Sequence, residues 1–135
     1  AIGLTSPITG VPLENGIWDV TWLGAQTGWL HGSAYPTLNG NSVLTGHVWD
    51  ANNQPGIFHD VNQLEFGDQV VIHSFGSIYV YKVREVLTVK PENVRAMLNH
   101  QITPWITLVT CQGFDEESGS YKARVLVRTE LVEVR

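Results

Sequence analysis

Apolar side chains recur along the 135 residues mainly with the two-residue period of a pleated strand. Ile17–Leu23 alternates apolar and polar residues and predicts a half-buried strand. Ser42–Trp49 predicts a second, with Val43, Thr45, His47 and Trp49 sharing one face. Gln69–Ser74 and Ile78–Val89 predict two more, joined by a hairpin turn at Phe75-Gly76-Ser77. Trp105–Thr110 is rich in β-branched residues. Pro104 in front of it forbids a continuing helix, and Gln112-Gly113 behind it opens a loop. After the acidic loop Gly113–Ser120, whose Ser-Gly pair signals a turn, Tyr121–Arg128 returns as the partner strand. Helical pattern is confined to Pro91–Leu98 and a short stretch after Phe58. Residues 1–16, rich in Gly, Pro, Ser and Thr, predict a loosely attached segment ahead of a domain over 17–135, and Gly24–Gly40 predicts a long surface loop. The sum is an all-β barrel or sandwich of seven or eight strands with one or two short helices, and patterning alone does not separate the two.

Composition narrows the function. Charged residues make up 16% of the chain and aromatic residues 10%, so disorder is not expected, and the length suits one core. A formal charge of −5, with only eight Lys and Arg spread along the chain, argues against a nucleic-acid surface. No apolar run approaches the ~18 to 20 residues of a membrane span. Neither His47 with Asp50 nor His59 with Asp60 has a recognised metal spacing, so no metal and no cofactor are expected.

The candidate chemistry centres on Cys111, the single cysteine, at the end of the Trp105–Thr110 strand. A side chain there is held by a rigid element and can still face a groove. A lone cysteine is more often a small buried hydrophobe, however, and the strand alone does not decide between the roles. The hairpin adds an arginine: Arg124, near the start of the returning strand, can lie beside Cys111. Arg128 falls on the same face and is its rival. Five histidines, His31, His47, His59, His73 and His100, could serve as the partner base, and position alone selects none.

Three motifs in order resolve these choices by resemblance. Thr107-Leu108-Val109-Thr110-Cys111 resembles the Thr-Leu-x-Thr-Cys signature of the sortases, the cysteine transpeptidases of bacterial cell surfaces. Arg124, thirteen positions on and after a Gly-x-Tyr turn, matches their catalytic arginine, and His47 in Thr45-Gly46-His47 matches their histidine. Phe58–Ile72 is similar to the family's helical turn and Gly-Asp-led strand.

The resemblance implies a closed sortase-type β-barrel with His47, Cys111 and Arg124 meeting at one edge, and with Thr110, Thr107 and Trp105 as substrate-binding positions. It implies that Lys90–Pro104 faces the substrate. It also implies the activity: Cys111 cleaves a C-terminal LPXTG-like sorting signal of a surface protein as an acyl thioester, and an amine of a peptidoglycan precursor or a pilin lysine resolves it. An N-terminal membrane anchor ahead of Ala1, on the extracellular face of the cytoplasmic membrane, belongs to the same expectation. Some sortases use calcium on acidic loops, but Asp115-Glu116-Glu117 does not match such a site specifically. Two other classes stay open: a cysteine hydrolase passing the acyl group to water, and a non-catalytic peptide-binding barrel with Cys111 buried.

Overall fold

The computed structural model describes residues 5–49, 52, 54–99, 101–115, 117 and 120–135. In chain order the strands are β1 (Ile8–Val11), β2 (Leu13–Glu14), β3 (Ile17–Trp18), β4 (Thr27–Leu30), β5 (Gly40–Thr45), β6 (Gln69–Ser74), β7 (Ser77–Val89), β8 (Pro104–Asp115) and β9 (Ser120–Val134). A one-turn helix α1 (Val94–Met97) precedes β8, and a 3-10 turn covers Val61–Gln63. Seven strands form one sheet in the order β1-β4-β5-β8-β9-β7-β6, while β2 and β3 pair separately. The all-β class expected from patterning and resemblance is therefore the fold.

The centre of the sheet is buried on both faces, so its strands read as nearly continuous apolar runs rather than clean alternations. On one face Leu44, Ile106, Leu108, Val125 and Val127 pack with Phe58, Val61 and Leu64. On the other, Val43, Val109 and Leu126 pack with Val11, Leu23, Leu30 and Met97. Odd-numbered residues of β8, Cys111 included, thus share the second face.

The sheet differs from the expected closed barrel. Its edges are β1 and β6, and among the described residues no ladder joins them, so the sheet curls without closing. A cavity of about 1080 Å³ lies between those edges, lined by Ile8 and Gly10 on one side and Gln69–Ser74 on the other.

Four local expectations also change. Residues 1–16 are not loose throughout: β1 pairs in parallel with β4, and Val11 is fully buried. Gly24–Gly40 is not merely a surface loop, because Thr27–Leu30 is an inner strand of the sheet. Its Gly28 leaves room for two buried side chains; a methyl group there would lie 2.7 Å from Val11 Cγ2 and 3.0 Å from Leu23 Cδ1. The alternation over Ile17–Leu23 forms only the two residues of β3, since Asp19 bends the chain by accepting hydrogen bonds from the Thr21 N–H and hydroxyl. The strand expected over Ser42–Trp49 ends at Thr45.

Candidate active site

The β8–β9 hairpin sets Cys111 directly opposite Arg124. Side chains opposite one another on antiparallel strands share a face, with Cβ atoms about 4.5 to 5.5 Å apart. Burial pushes the Cys111 thiol above its ordinary range, and Arg124 draws it back in part. Tyr121 is also raised, by burial first and then by the neighbouring Cys111.

His47 comes to this site by a different route. Beyond β5 the chain runs through Gly46 to Trp49 and returns through Pro55 to Phe58. The Phe58 N–H donates to the His47 carbonyl at 3.0 Å and the Gly56 N–H to the Val48 carbonyl at 2.7 Å. Trp49 and Pro55 form an isolated antiparallel bridge. His47 Nε2 lies 2.8 Å from the Val20 carbonyl oxygen. A cavity of about 160 Å³ is lined by Val20, Leu23, Thr45, Gly46, His47, Val48, Trp49, Cys111 and Tyr121. Histidine and cysteine therefore border one small space, with Arg124 on the adjoining strand.

Among the described residues, the other histidines do not share it. His31 packs on Trp29 with ring centroids 4.6 Å apart, His59 packs edge-on against Trp49 and bonds Asp60 at 2.9 Å, and His73 lies on β6. His100 lies outside the described residues, as does Asp50.

The rival arginine has another environment. Arg128 pairs across from Thr107, is only 8% exposed, and sits 5.2 Å from the Trp105 ring centroid. Its NH1 is 3.7 Å from Glu85, while Nε and NH2 find no partner among the described residues.

The three positions expected to contact substrate are placed differently from the catalytic set. Thr107 is fully buried and donates its hydroxyl to Asn41 Oδ1 at 2.7 Å; Asn41 in turn donates to the Met97 and Asn99 carbonyls. Thr110 is 2% exposed, faces away from Cys111, and donates to the Phe58 carbonyl at 3.2 Å. Both hydroxyls are spent inside the protein, because hydroxyls on a strand buried on both faces must find internal acceptors. Trp105 is half-buried, donates to the Thr103 hydroxyl at 3.1 Å, and lies beneath Arg128.

The sequence missed Gly56 and Val20. Pro55-Gly56 is a turn signal that could have marked the first. The second acts through a backbone carbonyl, which leaves no signature in residue type. Among the described residues, no three His, Cys, Asp or Glu side chains gather as a metal site. Of the acidic run Asp115–Glu117, Glu116 lies outside the described residues.

With this geometry in place, the family model for the sortase domain matches residues 1–132. The chain belongs to the sortase family. This sortase resembles sortase C-1 from Actinomyces oris at a TM-score of 0.76 and 29% identity, over 95% of this chain and 67% of that one. Sortase A from Corynebacterium diphtheriae matches at 0.74 and 28%, over 95% of this chain and 55% of that one. The fold is shared as well with a Clostridium perfringens sortase D5 transpeptidase, at 0.71 and 24% identity, over 93% of this chain and 70% of that one. The chain thus spans between 55% and 70% of the length of these three structures. No curated protein sequence matches it. Among the described residues no helix is long and apolar enough to cross a membrane.

Proposed function

We propose that this sortase is a cysteine transpeptidase acting on LPXTG-like C-terminal sorting signals of surface proteins. Membership of the family supports sortase-type transpeptidation in general, and the cross-strand pairing of Cys111 with Arg124 beside the His47 cavity is the observation that carries the assignment of roles. The Cys111 thiolate attacks the carbonyl carbon of the Thr-Gly-like bond. The electron pair moves to oxygen, and Arg124 offsets that charge, a contribution of about 3 to 4 kcal/mol for a well-aimed donor. The C–N bond breaks as His47 donates a proton to the departing amine, leaving a thioester on Cys111. An incoming amine then attacks the thioester and gives its proton to His47, and the sulfur leaves as thiolate.

The acceptor is a peptidoglycan-precursor amine or a pilin lysine, at the extracellular face of the cytoplasmic membrane. The β7–β8 connection over Lys90–Pro104 is the proposed wall of the peptide groove, its α1 packing through Met97 on the same face of the sheet as Cys111. A hydrolase that releases the acyl group to water is the second reading, favoured by the space beside Cys111, which is large enough for a few waters.

The deciding measurement is intact mass after mixing with an LPXTG-like peptide, with and without oligoglycine. An adduct on Cys111 that passes to the amine is expected. Release to water despite the amine would favour the hydrolase, and no adduct across related signals would overturn this substrate class.

A further inference from the structure

Among the described residues no carboxylate holds His47. Its Nε2 meets a backbone carbonyl, and a carbonyl only accepts, so Nε2 must carry the proton in this contact. We propose that the Val20 carbonyl is the positioning group of His47, holding the ring as the Nε2–H tautomer so that Nδ1 is the nitrogen that exchanges protons at the Cys111 site. The proposal rests on the reading of His47 as the proton carrier.

The surrounding turn is built to present that oxygen. Val20 O also accepts from the Leu23 N–H at 3.1 Å, closing a turn over residues 20–23. Asp19 Oδ1 braces the turn through the Thr21 N–H at 3.0 Å and the Thr21 hydroxyl at 2.6 Å. Leu23, 1% exposed, anchors it in the cluster with Val11, Val43, Val109 and Leu126, against the space that Gly28 leaves open. A carbonyl with two lone pairs engaged, on a turn tied to the core, is a fixed acceptor. The neutral imidazole keeps one donor and one acceptor nitrogen, so fixing the donor fixes the acceptor. Both Val20 and Leu23 line the cavity that contains Cys111.

Histidine-selective 15N NMR of the intact chain tests this without any substrate. The His47 signals, assigned by their loss in His47→Gln, should show a protonated Nε2 and an unprotonated Nδ1 wherever the ring is neutral. A second arm replaces the Val20–Thr21 amide by an ester, which weakens the carbonyl as acceptor. The ester should mix the two tautomers and lower kcat on the order of tenfold with KM retained. The ester also removes the Thr21 N–H, and Asp19→Ala measures what that brace contributes; Asp19→Asn, which keeps an acceptor oxygen, should restore the wild-type rate. A His47 proton found on Nδ1 overturns the proposal, as does an ester variant with unchanged tautomer and kcat. If no thioester forms with any sorting peptide, the spectrum still decides the positioning, and only the functional reading falls.

Discussion

Gly56 approaches the His47 peptide so closely that filling its side-chain position should displace the histidine. A methyl group on Gly56 would lie 2.3 Å from the His47 carbonyl oxygen, 2.8 Å from the carbonyl carbon and 3.1 Å from the Val48 carbonyl carbon. All three are backbone atoms, so no rotamer change relieves the contact. Moving from 2.3 Å to the 3.4 Å at which ordinary contact begins opens the two segments by about 1.1 Å. That shift stretches the 2.7 Å bond from the Gly56 N–H to the Val48 carbonyl past hydrogen-bond range. Displacing a reacting group by ~1 Å costs about 100-fold in rate, whereas the overpacking itself costs about 1 to 3 kcal/mol of stability. Gly56→Ala should therefore fold, with Tm lower by about 3 to 5 °C per kcal/mol lost, and form the acyl enzyme about 100-fold more slowly. Thermal denaturation and intact-mass time courses read the two effects separately. Gly76→Ala is the control, since Gly76 has φ +80 in open space at the β6–β7 turn and should lose stability but not acylation. A folded Gly56→Ala protein acylating at the wild-type rate would refute this account of how His47 is placed.

Three further outcomes are expected. Arg124→Ala should slow acyl-enzyme formation by about 100- to 1000-fold, because it removes the cation opposite Cys111; Arg128→Met should keep activity and stability, since two buried N–H groups without partners, at about 1 to 3 kcal/mol each, offset what Trp105 and Glu85 contribute. Equal rate losses in the two arginine variants would reverse the assignment. Alkylation of Cys111 should rise with pH through a midpoint above that of an ordinary thiol, and Arg124→Ala should push the midpoint higher still; by the same linkage, a thiol raised on folding stabilises the protein below the unfolded-state pKa, and this contribution is lost as pH rises through the folded one. Thr110→Val should cost about 1 to 2 kcal/mol in a denaturant titration by stranding the Phe58 carbonyl, with Thr110→Ser recovering most of it, and equal midpoints for all three proteins would remove Thr110 from the support of the site.

The parts legible in the sequence are those in which a residue's neighbours along the chain determine its partner in space. The β8–β9 hairpin is one: two apolar runs and a turn between them place Cys111 opposite Arg124, and the β6–β7 hairpin follows the same logic. Thr27–Leu30 was not legible, because its Gly, Thr and Trp composition looks like a loop until Leu23 and Val11 are seen filling the space at Gly28. The resemblance made Thr107 and Thr110 substrate-binding positions, and the pattern of β8 did not show where their hydroxyls go. In the structure β8 is buried on both sides, and each hydroxyl meets an internal acceptor on its own face. Closing the sheet into a barrel would take a pairing between β1 and β6, two elements far apart in the chain, and periodicity carries no information about whether it forms.

The parity of β8 separates the work of its two faces. Cys111 faces the 160 Å³ cavity, while Thr110, one residue earlier, points into the opposite core and holds the Phe58 carbonyl. The Phe58 N–H in turn holds the His47 carbonyl, so the strand that presents the nucleophile also tethers the segment that presents the histidine. Cys111 and Arg124 are fixed by a ladder that cannot shift without breaking the centre of the sheet. His47 lies beyond the end of β5, held by one hydrogen bond from the Phe58 N–H, by the close approach of Gly56 and by the Val20 carbonyl. Of the three groups it is the one that local changes can move while the sheet stays folded. Variation in activity at constant fold should therefore concentrate in the turn at residues 20–23 and the return at residues 55–58, rather than in β8 or β9.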